Sequence, residues 1–270
     1  MSADVSVVVA VLDNASTLQR CLDSIRSQEG PSVEAVVIDG GSTDGSLEVV
    51  RANAHWLSHW ETGADRGIYS AWNKALQHVS GRWVAFLGAD DYYLDGGAVR
   101  DLAELGDGED SDLVCGRIWY VDRRGQRQFT HGQPWSWERM KRKHSVAHTG
   151  MLHRSELFRR FGSFDEDLRI AGDYEFLMRL GPSASASFLD RVYLAMGNEG
   201  VSSSHALDTL REVRRIQSRH PDIGPAAAWA NFLREVAVHG YWQGRRALDR
   251  NPLVCALKSA RRNARPAGGR

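Results

Sequence analysis

The run Val5-Ser6-Val7-Val8-Val9-Ala10-Val11-Leu12 is apolar at every position but Ser6. A strand with one wet face alternates polar and apolar residues. This run does not, so it suits a strand covered on both faces, as in a parallel sheet between helices. Working outward, Asp13-Asn14-Ala15-Ser16 offers helix caps, and Leu18, Cys21, Leu22 and Ile25 follow at helical spacing. Val33–Ile38 is a second buried strand. It ends in Asp39-Gly40-Gly41-Ser42-Thr43-Asp44-Gly45, which passes into a helix near Leu47–Arg51. A third strand is expected near His55–Glu61, and a helix on Ile68, Trp72, Ala75, Leu76 and Val79, closed by Gly81. Trp83–Leu87 is a fourth strand, followed by Gly88-Ala89-Asp90-Asp91. Alternating strands and helices predict an α/β sheet with right-handed crossovers. Ligands of such sheets bind beyond the carboxyl ends of the strands, where Asp13-Asn14, the Asp39 loop and Asp90-Asp91 all fall.

The second half is less regular. Leu113–Val121 and Arg127–Thr130 flank Asp122-Arg-Arg-Gly125 as a hairpin. Residues 131–150 show no period. Short helices are expected at Ser155–Arg160 and Asp173–Leu180, a strand at Phe188–Leu194, and helices over 205–219 and 226–249.

Lys+Arg and Asp+Glu both number 34, so the formal charge is zero and no nucleic-acid partner is expected. The three cysteines, Cys21, Cys115 and Cys255, are odd in number and widely spaced. They read as buried free thiols rather than a disulfide framework or a zinc site. The N-terminus lacks the pattern of a signal peptide, and no apolar run approaches the ~20 residues of a membrane span. A cytoplasmic protein is expected, in solution or on the cytosolic face of the inner membrane.

Adjacent carboxylates repel, and burying them without compensation is costly. Asp90-Asp91 at a strand end therefore suits a hard cation such as Mg²⁺ or Mn²⁺, which takes oxygen ligands from carboxylates and substrate phosphates. A solvated turn capping the next helix is the alternative. The glycines after Asp39 allow positive φ and close approach of a ligand, though a plain strand-to-helix turn would need them too. Neither a dinucleotide fingerprint nor a P-loop is present. His144 and His148 are four apart but carry no zinc signature. The tryptophans of the irregular half, Trp135 and Trp137 among them, could stack on sugar rings or fill core. The stretch 226–260 mixes Trp229, Phe232, Leu233, Tyr241 and Trp242 with Arg234, Arg245 and Arg246. It could lie on an anionic membrane, pack on the core, or join two copies as a homodimer.

Five segments in order resemble glycosyltransferase family 2: Val5-Ser-Val-Val-Val-Ala10, Val37-Ile-Asp-Gly-Gly-Ser-Thr-Asp-Gly-Ser46, Asp65-Arg-Gly-Ile-Tyr-Ser-Ala-Trp-Asn-Lys74, Phe86-Leu-Gly-Ala-Asp-Asp91, and Phe161-Gly-Ser-Phe-Asp-Glu-Asp-Leu168 with Gly172-Asp-Tyr-Glu-Phe-Leu-Met-Arg-Leu180. The branch it looks most like builds bacterial surface polysaccharides, including colanic-acid-type transferases. The resemblance implies an α/β GT-A fold, a Rossmann-like mixed, mainly parallel sheet flanked by helices. It implies a catalytic domain over 1–205, with a nucleotide-sugar-binding half (1–100) and an acceptor-binding half (101–205). A helical extension over 206–260 and a disordered basic tail over 261–270 would follow.

The implied activity is inverting transfer of a sugar from a UDP- or GDP-sugar to a hydroxyl of a saccharide or lipid-linked acceptor. The resemblance gives Asp173 as catalytic base, which could equally be a helix cap, and Ala10, Asn14, Asp39, Gly41, Asp65, Arg66, Asn73, Lys74 and Asp90 as donor contacts. It gives Asp91, with Asp90 and His205, as metal contacts, and His148 as an acceptor contact beside Trp135 and Trp137. The family often carries an acid or amide where Gly88 stands, so the acidic motif is shortened here, and Asp91 is the expected principal ligand. Two other classes stay open: a nucleotidyltransferase on a related sheet, and a catalytically silent nucleotide-sugar-binding subunit.

Overall fold

The computed structural model describes residues 3–122, 124–197 and 205–250. Among them nine strands form one sheet in the order β3-β2-β1-β4-β8-β6-β9-β5, with β7 paired to β6. The strands are β1 (Val5–Val11), β2 (Val33–Asp39), β3 (His59–Thr62), β4 (Trp83–Gly88), β5 (Tyr92–Tyr93), β6 (Leu113–Val121), β7 (Arg127–His131), β8 (Leu152–Arg154) and β9 (Ala186–Gly197). The helices are α1 (Ala15–Arg26), α2 (Ser46–Asn53), α3 (Ile68–Ala75), α4 (Ala98–Gly108), α5 (Trp137–Met140), α6 (Glu156–Phe161), α7 (Gly172–Leu180), α8 (Ala206–Arg219) and α9 (Gly224–Arg250). Strands β3, β2, β1 and β4 are parallel, β8 runs against both β4 and β6, and β6 and β9 are parallel again. This is the mixed, mainly parallel sheet the sequence predicts.

The sheet lies between two apolar layers. Odd positions of β1 (Val5, Val7, Val9, Val11) face α1, α2 and α4 through Leu18, Leu22, Val50 and Leu102. Val8, with Val36, Ile38 and Phe86, faces α3, α6 and α7 through Tyr69, Trp72, Leu157 and Leu177. Burial on both sides is why the strand does not alternate. Each such large side chain removed from water contributes roughly 1.5–3 kcal/mol.

The sequence named no helix over 98–108. The apolar face of α4 (Val99, Leu102, Ala103) is short, and two glycines weaken the helical signal. Gly106 is there because α4 lies flat on the sheet: a Cβ would stand 2.5 Å from Val114 and 2.6 Å from Trp83. Helix α3 stops at Ala75 rather than running to Val79, and β9 is longer than Phe188–Leu194 at both ends. Cys21 and Cys115 are buried free thiols, as expected. Cys255 and the expected tail over 261–270 lie outside the described residues.

Helices α8 and α9 pack on one another and back onto the core. Ile216 joins the layer beneath α7, and the buried Gln217 donates to the Tyr174 hydroxyl at 2.9 Å. Trp229, Leu233, Tyr241 and Trp242 remain about half exposed on α9. No helix among the described residues is long and apolar enough to cross a membrane.

Candidate active site

Parallel pairing brings three polar loops to one edge of the sheet. Val11 lies beside Asp39, and Ala10 lies between Ile38 and Gly88, so the segments leaving β1, β2 and β4 emerge together. The first two loops are laced to each other. Asp13, at φ 51°, accepts the Thr43 amide at 2.8 Å, and its own amide donates to Ser42 Oγ at 2.9 Å. The Asn14 amide donates to Ser46 Oγ, and the Asn14 side chain to the Leu12 carbonyl. A left-handed Asp is tolerated because its short side chain bonds locally.

Asp39 is fully buried and organises its loop. It accepts the amides of Gly41 and Ser42 and the Thr62 hydroxyl, the last at 2.6 Å. Asp65 lies against Gly40, where a Cβ would stand 2.9 Å from its Oδ2, and it caps the Gly67 amide at 2.9 Å. Gly40 therefore lets the Asp39 and Asp65 loops meet. Arg66 reaches Glu166 at 2.6 Å. Asn73 holds the same segment by a reciprocal pair with the Phe164 backbone and by a bond to Glu166, all 2.9 Å. Lys74 stands 3.7 Å from Glu61 at the sheet edge. Arg66 and Asn73 thus tie the Asp65 segment to the second half of the chain.

At the end of β4 the two acids differ. Asp90 is half-buried, while Asp91 is 3% exposed. Asp91 accepts the Gly88 amide at 2.8 Å, the Thr149 hydroxyl at 2.5 Å and the Gly197 amide at 3.1 Å. Burial, and then the charge of Asp90, push its carboxyl up to about 7, against the pull of those three donors. Both flanking residues must be small. A Cβ on Gly197 would fall 1.8 Å from Asp90 Oδ2, and one on Gly88 3.0 Å from Asp90 Oδ1.

Asp173 is the second residue of α7, where the helix dipole favours a carboxylate. Its side chain is 18% exposed. It accepts the Tyr174 amide at 2.8 Å and lies 3.2 Å from the Tyr69 hydroxyl, which donates to the Ile170 carbonyl at 2.7 Å. Gly172 admits the Tyr69 ring, for a Cβ there would be 2.8 Å from it. His144 Nδ1 stands 3.8 Å from Asp173 Oδ2. The Tyr120 hydroxyl is pushed up to about 12 by burial and then by the charges of both Asp91 and Asp173. The charges of the two acids are thus both felt at Tyr120.

The other expected contacts lie elsewhere. His148 is 6% exposed, ringed by Trp72, Phe86, Phe164 and His153, and burial pushes it well below the usual histidine range. The histidine beside Asp173 is His144, four residues away. Trp135 and Trp137 are half-buried against the layer beneath α7, with Trp137 near His220. His205 is the exposed residue before α8, its carbonyl accepting the amides of Asp208 and Thr209. Thr149, Gly197 and Tyr69 carried no mark as site residues in the sequence, and His144 was weighed only with His148 as a zinc pair. Only Tyr69 sat inside a quoted motif.

The Glycosyl transferase family 2 model matches residues 6–167. The chain belongs to glycosyltransferase family 2. It is similar to the PGL/p-HBAD biosynthesis glycosyltransferase of Mycobacterium tuberculosis, 33% identical over 180 residues, covering 64% of this chain and 68% of that protein. An uncharacterized glycosyltransferase of the same organism is 28% identical over 253 residues, 88% of this chain and 92% of that one. Among solved structures, Staphylococcus aureus TarS 1-349 in complex with UDP-GlcNAc superposes with a TM-score of 0.67 at 25% identity, over 86% of this chain and 70% of that one. The mannosyltransferase PcManGT of Pyrobaculum calidifontis, in complex with GDP-Man and Mn²⁺, gives 0.60 at 19% identity, over 96% and 84%, a likeness of fold. As a family 2 member with the GT-A fold, the chain is a glycosyltransferase.

Proposed function

We propose that this glycosyltransferase moves a sugar from a UDP- or GDP-sugar to a hydroxyl of a saccharide or lipid-linked acceptor in one inverting displacement. The observation that carries this is the gathering of the β1, β2 and β4 ends at one sheet edge, with the buried Asp91 beside Asp90 there and Asp173 at a helix start. The acceptor hydroxyl is a poor nucleophile. Asp173 takes its proton as the oxygen attacks the anomeric carbon, and the bond to the nucleoside diphosphate breaks with the electron pair leaving on phosphate. Asp39, Gly41, Asp65 and Arg66 frame the nucleoside, with Ala10 and Asn14 beneath it. Asn73 and Lys74 act through the loops they hold.

The donor set at Asp90 and Asp91 suits Mg²⁺ or Mn²⁺: two adjacent oxygen-only side chains, the charge of Asp90 adding to burial in raising the proton affinity of Asp91. A bound divalent ion would neutralise charge growing on the departing diphosphate. His205 is a further candidate contact to that ion. PcManGT, bound to GDP-Man and Mn²⁺, and TarS, bound to UDP-GlcNAc, support the two nucleotide classes. The relative named for PGL/p-HBAD biosynthesis supports a place in surface glycolipid or polysaccharide assembly. The exposed aromatic residues of α9 fit peripheral contact with the cytosolic membrane face or with a second copy.

The test is turnover of a panel of UDP- and GDP-sugars with Mn²⁺, read as nucleotide release. A nucleoside diphosphate product supports the proposal, whereas sugar 1-phosphate from the panel, or pyrophosphate from a parallel incubation with UTP or GTP and a sugar 1-phosphate, would make the chain a nucleotidyltransferase. Asp173→Asn should lower turnover by about 10²–10⁴-fold, the usual contribution of a general base. Turnover at the wild-type rate would remove Asp173 from that role.

A further inference from the structure

Helix α8 begins where the catalytic domain was expected to end, yet Glu212 in its middle reaches the segment that leads into α7. Its carboxylate accepts three consecutive backbone amides, Arg169 at 3.0 Å and Ile170 and Ala171 at 2.9 Å. Successive amides turned onto one anion form a compact binding nest, and each bond is strengthened by the charge. Ala171 is the cap residue of α7, and Asp173 follows two residues later. The Ile170 carbonyl is held from the opposite side by the Tyr69 hydroxyl. The peptide before Asp173 is therefore gripped by a carboxylate on its amides and by a phenol on its carbonyl.

The same pair of helices fixes the other neighbour of Asp173. Gln217, one turn and a half beyond Glu212, is fully buried and donates to the Tyr174 hydroxyl, which donates to the Met140 carbonyl at 2.6 Å. Asn231 on α9 donates to Gln217 Oε1 and to the Lys141 carbonyl, both at 3.1 Å. That turn leads to His144, 3.8 Å from Asp173.

We propose that Glu212 is the positioning residue for Asp173, so that the C-terminal helices are part of the catalytic apparatus rather than an appendage. The inference rests on the reading of Asp173 as the base. Glu212 touches no reacting atom. It sets where the start of α7 lies, and a misplacement of about 1 Å can cost as much as ~10² in rate. Glu212→Gln keeps the length and removes the charge, and its amide nitrogen cannot accept from a backbone N–H.

The experiment uses the full chain and whichever nucleotide sugar of the panel is turned over. Glu212→Gln should lower kcat about tenfold or more and leave the donor KM within about twofold, because the Glu212 carboxylate bonds the 169–171 amides and not the Asp39 or Asp90 loops. Hydrogen exchange of the 168–174 peptide should quicken in parallel. Glu212→Asp, which keeps the charge, should recover part of the loss, and it carries the comparison if the Gln variant does not fold. Faster exchange with a wild-type kcat would make Glu212 a structural fastener and overturn the proposal. An inactive Asp173→Asn beside a fully active Glu212→Gln refutes this inference alone, whereas an active Asp173→Asn refutes the base assignment beneath it. Turnover of no donor on the panel overturns both.

Discussion

Replacing Thr149 by Val tests the electrostatics of the acidic pair without touching a carboxylate. The two side chains have nearly the same shape, and the change removes only the hydroxyl that donates to Asp91 Oδ2 at 2.5 Å. Two donors would remain, the amides of Gly88 and Gly197. The lost bond matters most when Asp91 is ionised, and its carboxyl titrates near 7 in the folded chain against an ordinary 3.8. A raised folded value means the folded state holds the proton more tightly. Stability from this group is therefore full below the ordinary carboxyl range and is lost as pH rises through about 7. Removing the hydroxyl deepens that loss. A bond to a charged acceptor contributes about 1.5–3 kcal/mol and one to a neutral acceptor about 0.5–1.5 kcal/mol. The variant should thus lose about 2–3 kcal/mol at pH 8.5, with Asp91 ionised, and only about 1 kcal/mol at pH 5.5, with it protonated. Urea denaturation in a chelating buffer at both pH values, with the slope checked for constancy, measures the difference. An equal loss at the two pH values, or a larger one at pH 5.5, would refute the placement of a destabilised carboxylate beneath Thr149.

Two further substitutions probe the surroundings. Gly197→Ala would place a Cβ 1.8 Å from Asp90 Oδ2, so the Asp90 carboxylate must swing away. Mn²⁺-dependent donor turnover should fall about tenfold or more with the circular-dichroism spectrum kept, and unchanged turnover would separate Asp90 from the site. Arg66→Ala and Asn73→Ala should divide stability from binding. The exposed Arg66 ion pair is worth less than about 1 kcal/mol, so its loss should raise donor KM with little change in melting. Asn73, bonded both ways to the Phe164 backbone, should cost about 2–3 kcal/mol in chemical denaturation.

The first half of the fold was legible because local chemistry and global position agree there. An unbroken apolar strand can only be a two-sided one, and Val5–Val11 is buried on both faces. Parallel pairing then forces the ends of β1, β2 and β4 to one edge, so the acids at 39 and 90–91 could be grouped before any contact was known. Helix α4 resisted for the opposite reason: it carries glycine at 106 because it lies flat on Trp83 and Val114, a demand of packing rather than of propensity.

What the sequence determined by itself was where the acids fall: Asp39 and Asp90-Asp91 at the strand ends of an α/β sheet, and Asp173 at a later helix start. Tertiary structure decided which groups surround each acid, because those partners come from distant segments. Thr149 and Gly197 reach Asp91 from 58 and 106 residues away, and Tyr69 reaches Asp173 across 104. It also set the histidines apart, burying His148 among aromatic rings and leaving His144 beside Asp173. Residues four apart differ little in local pattern. Only the packing of α7 against the 140–144 turn distinguishes them.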